Sequence, residues 1–184
     1  YVYYKVDDGG YELRQASAAE VDQHFAALRP SKEQMPPRDL TVKEIRPFSQ
    51  IGFADAINVG VKAANLATMR TFGLPSDRTP DGYAVPFSFY NAFMEDNGFY
   101  EIARSMMAAE DFQKDATVRE QSLAAFRKAI KKGKTSKWAK QALAEVQGQF
   151  DKGTSIRCRS STNNEDLPGF SGAGLYDSFT HKPK

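Results

Sequence analysis

An α+β fold is predicted by where the two kinds of pattern fall along the chain. Segments of β-favouring character stand at residues 1–6 and 11–15, and again from Thr154 to Ser160 and from Leu175 to His181. Residues 99–150 read as almost wholly helical, and shorter helical patterns precede them. Strands and helices that are segregated in this way point to α+β.

Each element has a local cause. Asp7-Asp8-Gly9-Gly10 separates the first two strand segments and predicts a hairpin. Ser17-Ala18-Ala19-Glu20 has capping-box spacing and opens a helix to about Leu28. Pro30, Pro36 and Pro37 then break the chain into a linker. Residues 1–40 are therefore expected to form a small hairpin-plus-helix module, with 41–184 as the main domain. After Ile45-Arg46-Pro47 and an irregular segment, the Ala, Leu and Met of residues 58–69 favour a helix. Gly60 stands where that helix should begin and Gly73 where it should stop. Asp81-Gly82 reads as a turn into a short buried strand, followed by a helix from Ser88 towards Asn97-Gly98. Breaks in the long helical region are expected near Ala109-Glu110-Asp111 and at Gly133.

Composition narrows the function. At 184 residues, with 41% hydrophobic and 12% aromatic residues, the chain can bury a core and is one ordinary domain, or one plus part of another. Its 25 basic and 23 acidic residues give a formal charge of only +2, which is no nucleic-acid footprint. The single Cys158 excludes an intramolecular disulfide and suits a reducing compartment, so a cytoplasmic location is expected. No apolar stretch is long enough to span a bilayer. The chain starts Tyr-Val-Tyr-Tyr-Lys-Val, without an initiator Met or a signal-peptide layout, and reads as a piece of something longer. His24 and His181 are far apart, and no Cys/His cluster has zinc spacing, so no transition-metal site is expected. Gly-x-Ser-x-Gly and Walker-type loops are absent too.

Three constellations carry chemistry. The first is Gly60 with Lys62: a glycine before a helix lets phosphate reach the open N–H groups, and a first-turn lysine adds a point charge. Alone it is a weak pattern, which a helix start beside a solvated lysine explains better. The second runs from Arg157-Cys158-Arg159-Ser160-Ser161 through Glu165-Asp166-Leu167-Pro168-Gly169 to Ser171-Gly172-Ala173-Gly174. Its hydroxyls, left-handed-tolerant Asn163 and Asn164, and small residues suit a backbone clamp around a polyphosphate. Arg157 and Arg159 fall on one face of the expected strand, as an anion would require, and Cys158 is expected to face the core. A polar surface turn fits this loop about as well on chemistry alone. Glu165 and Asp166 suit capping better than magnesium binding. The third is the run Lys128, Lys131, Lys132, Lys134, Lys137 and Lys140 around Trp138. It reads as the solvated face of a helical hairpin rather than a nucleic-acid surface.

Taken together, Gly60-Val61-Lys62-Ala63-Ala64-Asn65-Leu66, Thr79-Pro80-Asp81-Gly82-Tyr83-Ala84-Val85 and the Arg159-to-Gly174 block appear in an order that resembles the N-terminal nucleotide-binding domain of the phosphoenolpyruvate synthase and pyruvate phosphate dikinase family. The resemblance covers roughly residues 42–184. It implies the first lobe of an ATP-grasp-type domain. Within it Lys62 matches a helix lysine that contacts ATP phosphates, and Arg159 an arginine that stabilises the transferred phosphoryl group. Gly174 and Ser178 match a glycine and a hydroxyl residue of the loop that closes over the nucleotide. The version Ser171-Gly172-Ala173-Gly174-Leu175-Tyr176-Asp177-Ser178 also resembles the glucan, water dikinase branch.

The resemblance implies a parent enzyme that binds ATP with Mg²⁺, passes a phosphoryl group to a histidine in another domain, and from there to pyruvate, a glucan or a related acceptor. The metal ligands, the phosphohistidine domain and the acceptor-binding domain are expected outside this chain, whose lobe is expected to stop short near Lys184. Neither His24 nor His181 has the context of the phosphoacceptor. The chain alone is expected to be inactive. Two other readings stand beside this one: a nucleotide-sensing or interaction module that kept the lobe without turnover, and, more remotely, nucleic-acid binding through the lysine-rich hairpin. Neither nucleic acid nor a membrane is the expected partner.

Overall fold

The computed structural model describes residues 1–28 and 34–182. The linker proline Pro30 lies outside them. Strands β1 (Val2–Asp7) and β2 (Gly10–Gln15) form the expected antiparallel hairpin, with Tyr4 opposite Leu13 and Val6 opposite Tyr11. The Asp7 carboxylate accepts from the Gly9 N–H at 3.0 Å inside the turn. Helix α1 (Ala18–Leu28) begins with the capping box that its spacing predicts. Glu20 accepts from the Ser17 N–H at 2.9 Å, and the Glu20 N–H donates to the Ser17 hydroxyl at 3.3 Å. The Arg14 guanidinium also reaches Glu20 and holds its carboxyl well below the usual carboxylate range.

Beyond the linker, the two-residue β3 (Arg46–Pro47) leads into short 3-10 turns and the four-residue α2 (Ala56–Val59). This stretch was expected to be irregular; hydrogen bonding to Asp55 organises it instead. Asp55 accepts from the Gly52 N–H at 2.8 Å and from Arg46 Nη2 at 2.8 Å, and Arg46 also donates to the buried Asn58 at 3.0 Å. Helix α3 (Val61–Met69) follows, bounded by Gly60 and, after one 3-10 turn, by the left-handed Gly73. The two-residue β4 (Tyr83–Ala84) pairs antiparallel with β3, and α4 (Phe87–Asp96) ends just before Gly98.

The helical region is α5 (Phe99–Ala108), α6 (Glu110–Lys114), α7 (Ala116–Lys132) and α8 (Lys137–Gln147). The breaks at Ala109 and Gly133 match the sequence. A further break at Asp115 does not, and its cause is a side-chain cap: Asp115 Oδ1 accepts from the N–H groups of Thr117 at 2.7 Å and Val118 at 3.2 Å. Strand β5 (Ile156–Arg159), the two-residue β6 (Asp166–Leu167) and β7 (Phe170–Ser171), and β8 (Ser178–His181) complete the chain. The last strand is shorter than the expected Leu175–His181 because the chain is still turning at Tyr176. Among the described residues all sheets are two-stranded and antiparallel: β1–β2, β3–β4, β5–β8 and β6–β7. The fold is α+β.

Contacts divide the chain into two compact units, Tyr1–Pro36 with Asn164–Leu175, and Pro37–Asn163 with Tyr176–Lys184. In the first, Gln34 donates to the Pro168 carbonyl at 2.7 Å. The second holds a core in which Ala63, Ala64 and Ala67 of α3 pack with Phe48, Ile51, Val59 and Ala84. Three alanines on one face let the helix approach its neighbours closely, and each buried apolar side chain contributes on the order of 1–3 kcal/mol. An aromatic cluster joins α4, α5, α7 and α8. Phe89 meets Trp138 edge-on at 4.7 Å, and Phe99 lies 5.6 Å from Phe93 and 6.1 Å from Phe126.

That cluster explains Gly133, where the lysine-rich hairpin turns. A Cβ there would stand 2.5 Å from Phe93 Cζ and 2.8 Å from Phe99 Cε2. Gly133→Ala is expected to destabilise the chain by about 1–3 kcal/mol through overpacking. Gly98→Ala is expected to cost only about 1 kcal/mol, because its φ of 67° is the sole obstacle and an added Cβ would meet no heavy atom beyond its chain neighbours within 4 Å. Urea unfolding of both variants checks the order.

Asp55 gives a pH signature. The Gly52 N–H, helped by Arg46, holds its carboxyl below the ordinary aspartate value of about 4. A depressed folded value means stability that is present above about pH 4 and is lost as the pH falls through the folded value. Asp55→Asn is expected to cost about 1–2 kcal/mol at pH 7. The gap between the variant and the parent should close as the pH is lowered towards 2, which melting curves across that range will read.

Candidate functional site

The site is built where β5 runs out. Arg157 and Arg159 stand two apart on β5, opposite Thr180 and Ser178 of β8. Arg157 Nη1 donates to Thr180 Oγ1 at 2.8 Å. Among the described residues the Arg159 side chain has neither a hydrogen-bond nor an ion-pair partner, and it is exposed beside the exposed Ser178. The two same-face arginines thus differ: one is committed to the ribbon, the other presents its guanidinium to solvent. Cys158 was expected in the core and is instead exposed. Among the described residues its ribbon has two strands, all of β8 and most of β5 are exposed, and no second layer covers that face.

Two residues beyond Arg159 the loop reaches α3. The Ala63 N–H donates to Ser161 Oγ at 3.0 Å. Ala63 is the third residue of α3, and an N–H at that position is ordinarily capped by the side chain preceding the helix. Gly60 occupies the preceding position and has no side chain, so Ser161 supplies the cap from 98 positions away. Gly60 also permits the approach itself. Its φ is 84°, and a Cβ on it would stand 2.5 Å from the Ser161 carbonyl carbon and 2.5 Å from the Ser161 hydroxyl. Asn163 adds a second pin, donating through Nδ2 to the Ala56 carbonyl at 2.9 Å and to the Pro37 carbonyl at 3.4 Å.

This geometry corrects one expectation. Gly60 was read as making room for phosphate at the α3 N-terminus, but Ser161 fills that room and takes the Ala63 N–H. The first turn of α3 instead presents the exposed side chain of Lys62. Lys62, Arg159 and Ser178 are therefore joined through one corner: Ser178 pairs with Arg159 across the ribbon, and Arg159 leads by two residues to the cap on the helix that carries Lys62. Gly174 belongs to the other compact unit, where it is exposed with a φ of 81° and no heavy atom within 4 Å of a would-be Cβ. Sequence reasoning did not single out Ser161 or Asn163 for these roles. Their partners lie 98 and 107 positions away, so no local spacing signals them.

The remaining candidates stay dispersed. Lys128, Lys131 and Lys132 end α7, Lys137 and Lys140 begin α8, and all are exposed together with Lys134. His24 sits on exposed α1 beside Phe25, and His181 lies within hydrogen-bonding distance of Gln147 at 2.9 Å. No three His, Cys, Asp or Glu side chains converge among the described residues, and none of the described helices is long and apolar enough to cross a membrane.

The family model described as the pyruvate phosphate dikinase AMP/ATP-binding domain matches residues 56–183. The chain belongs to this family. The match contains Lys62, Arg159, Gly174 and Ser178, and starts within α2, ahead of the capped α3. A probable phosphoenolpyruvate synthase from Methanothermobacter thermautotrophicus is 31% identical over 154 residues, which cover 78% of this chain and 21% of that protein. The chain thus spans about a fifth of the length of that relative. Belonging to the dikinase AMP/ATP-binding family makes nucleotide binding the function against which the Arg159 corner is to be read.

Gly60→Ala tests the corner without touching a charge. It meets both a backbone conformation reserved for glycine and the Ser161 backbone, so a loss of about 2–5 kcal/mol is expected. Gly174→Ala meets only the conformational cost and should lose about 1–2 kcal/mol. Denaturant midpoints for the two variants provide the comparison.

Proposed function

We propose that the corner formed by Lys62, Arg159 and Ser178 grips the polyphosphate of ATP as part of a dikinase. The observation that carries this is the contrast on β5: within a family that binds AMP and ATP, the exposed Arg159 side chain has no partner among the described residues, while that of Arg157 is spent on Thr180. A planar guanidinium can hold two phosphate oxygens at once and so favours charge that builds on a transferring phosphoryl group. Lys62 supplies a point charge and Ser178 a hydroxyl. Gly174 is proposed as a further nucleotide contact on the family match alone.

On this reading residues 41–184 form the first lobe of an ATP-grasp-type domain, and residues 1–40 a module ahead of it. The parent polypeptide, working in the cytoplasm, transfers a phosphoryl group from ATP to one of its own histidines, in a phosphohistidine domain, and then to pyruvate or a related acceptor held by a further domain. The name of the relative, a probable phosphoenolpyruvate synthase, supports the dikinase reading, and its greater length supports the additional domains. Among the described residues no three His, Cys, Asp or Glu side chains converge. Ligands for a metal that accompanies ATP are assigned to other parts of the parent.

A one-sided, solvent-facing pair of charges gains little, because water screens it. The 184-residue chain is therefore expected to bind ATP weakly and to release no AMP from it. Calorimetric titration with ATP tests the assignment. Lys62→Ala and Arg159→Lys should each lose about 1–1.5 kcal/mol of binding, less than a desolvated charged contact would because water screens the site, and Arg157→Lys much less. Equal affinity in the parent chain and Arg159→Lys would remove Arg159 from the site, and a larger loss at Arg157 would reverse the assignment of the two arginines.

A further inference from the structure

We infer that Ser161 is the positioning residue of this phosphate site: its hydroxyl fixes where Arg159 stands relative to Lys62. The inference rests on the reading of Lys62 and Arg159 as phosphate ligands. Three observations carry it. Ser161 Oγ accepts the Ala63 N–H at 3.0 Å, one residue beyond Lys62 in the first turn of α3. Ser161 is separated from Arg159 only by Ser160, at the point where β5 ends. Gly60 removes the side chain that would keep the two backbones apart, since a Cβ there would meet the Ser161 carbonyl carbon at 2.5 Å.

The physical consequence follows from the length of the two cationic side chains. Lysine and arginine side chains are long and lose considerable freedom when they close on one ligand. That loss is smaller when their backbones are already held at a set spacing, which is the general benefit of preorganisation. Without the Ser161 bond, the Ala63 N–H loses its cap and the end of β5 loses its attachment to the first turn of α3. The Asn163 bond to the Ala56 carbonyl at 2.9 Å remains, so the loop stays on the molecule and only the spacing relaxes. Ser161 need not touch the nucleotide to act this way.

The test is calorimetric titration of the 184-residue chain with ATP, with thermal unfolding of each protein measured alongside. The set comprises the parent, Ser161→Ala, Ser161→Thr, Lys62→Ala and the double variant Lys62→Ala/Ser161→Ala. Ser161→Ala is expected to weaken ATP binding about five- to tenfold, within the range for coupled neighbouring groups. Ser161→Thr keeps the hydroxyl and should return affinity to within about twofold of the parent. The double variant should bind ATP about as Lys62→Ala does, because Ser161 acts through the placement of Lys62. If Lys62→Ala weakens binding while Ser161→Ala does not, the positioning role is overturned and the phosphate site stands. Losses from Lys62→Ala and Ser161→Ala that simply multiply in the double variant, or a Ser161→Thr variant as weak as Ser161→Ala, also overturn it. If Lys62→Ala and the parent bind ATP equally, the phosphate-site reading falls and takes this inference with it.

Discussion

The hydrogen bond from the Ala63 N–H to Ser161, made possible by Gly60, is the contact on which the arrangement of the site depends. A helix that begins at glycine lacks a side-chain cap of its own. Here that deficiency is met by a hydroxyl from the far end of the family-matched region, so the same bond completes α3 and anchors the end of β5. The conformation and close packing of Gly60 are consequences of that bond as much as conditions for it.

A second constraint is the unequal use of β5. A strand alternates its faces, so Arg157 and Arg159 start equivalent. Pairing with β8 separates them, because Arg157 lies opposite the hydroxyl of Thr180 and bonds to it, whereas Arg159 lies opposite Ser178 without such a bond. The side chain left unengaged by the ribbon is the one adjoining the Ser161 anchor. A cation tied down by its own scaffold is poorly suited to follow a substrate; one that is held only by its backbone can.

Much of this was legible in the sequence because its causes are local. The Ser17–Glu20 capping box, the Gly60 and Gly73 bounds of α3 and the turn at Gly133 each follow from a few adjacent residues and appear where expected. The extra break at Asp115 was also local, but an aspartate inside a charged helical stretch reads as ordinary solvated surface until its side chain is seen on two N–H groups. The exposure of Cys158 was not legible, since alternation shows which residues share a face and not whether anything covers it. The role of Ser161 was furthest from reach: its partner is 98 positions away, and a serine after a strand fits many loops. The candidate ligands Lys62, Arg159, Gly174 and Ser178 came from a resemblance, which the family match over residues 56–183 supports at the level of the domain and not residue by residue.

The central claim is that one corner, assembled from α3, β5 and β8, meets the phosphates of ATP. Amide chemical-shift mapping of the 184-residue chain during an ATP titration tests it most directly. The account predicts saturable shifts concentrated at Lys62, Ala63, Arg159, Ser161 and Ser178, sequence-distant residues responding with a common affinity. Shifts confined to the lysine-rich turn around Gly133, or spread evenly over exposed lysines and arginines, would contradict it.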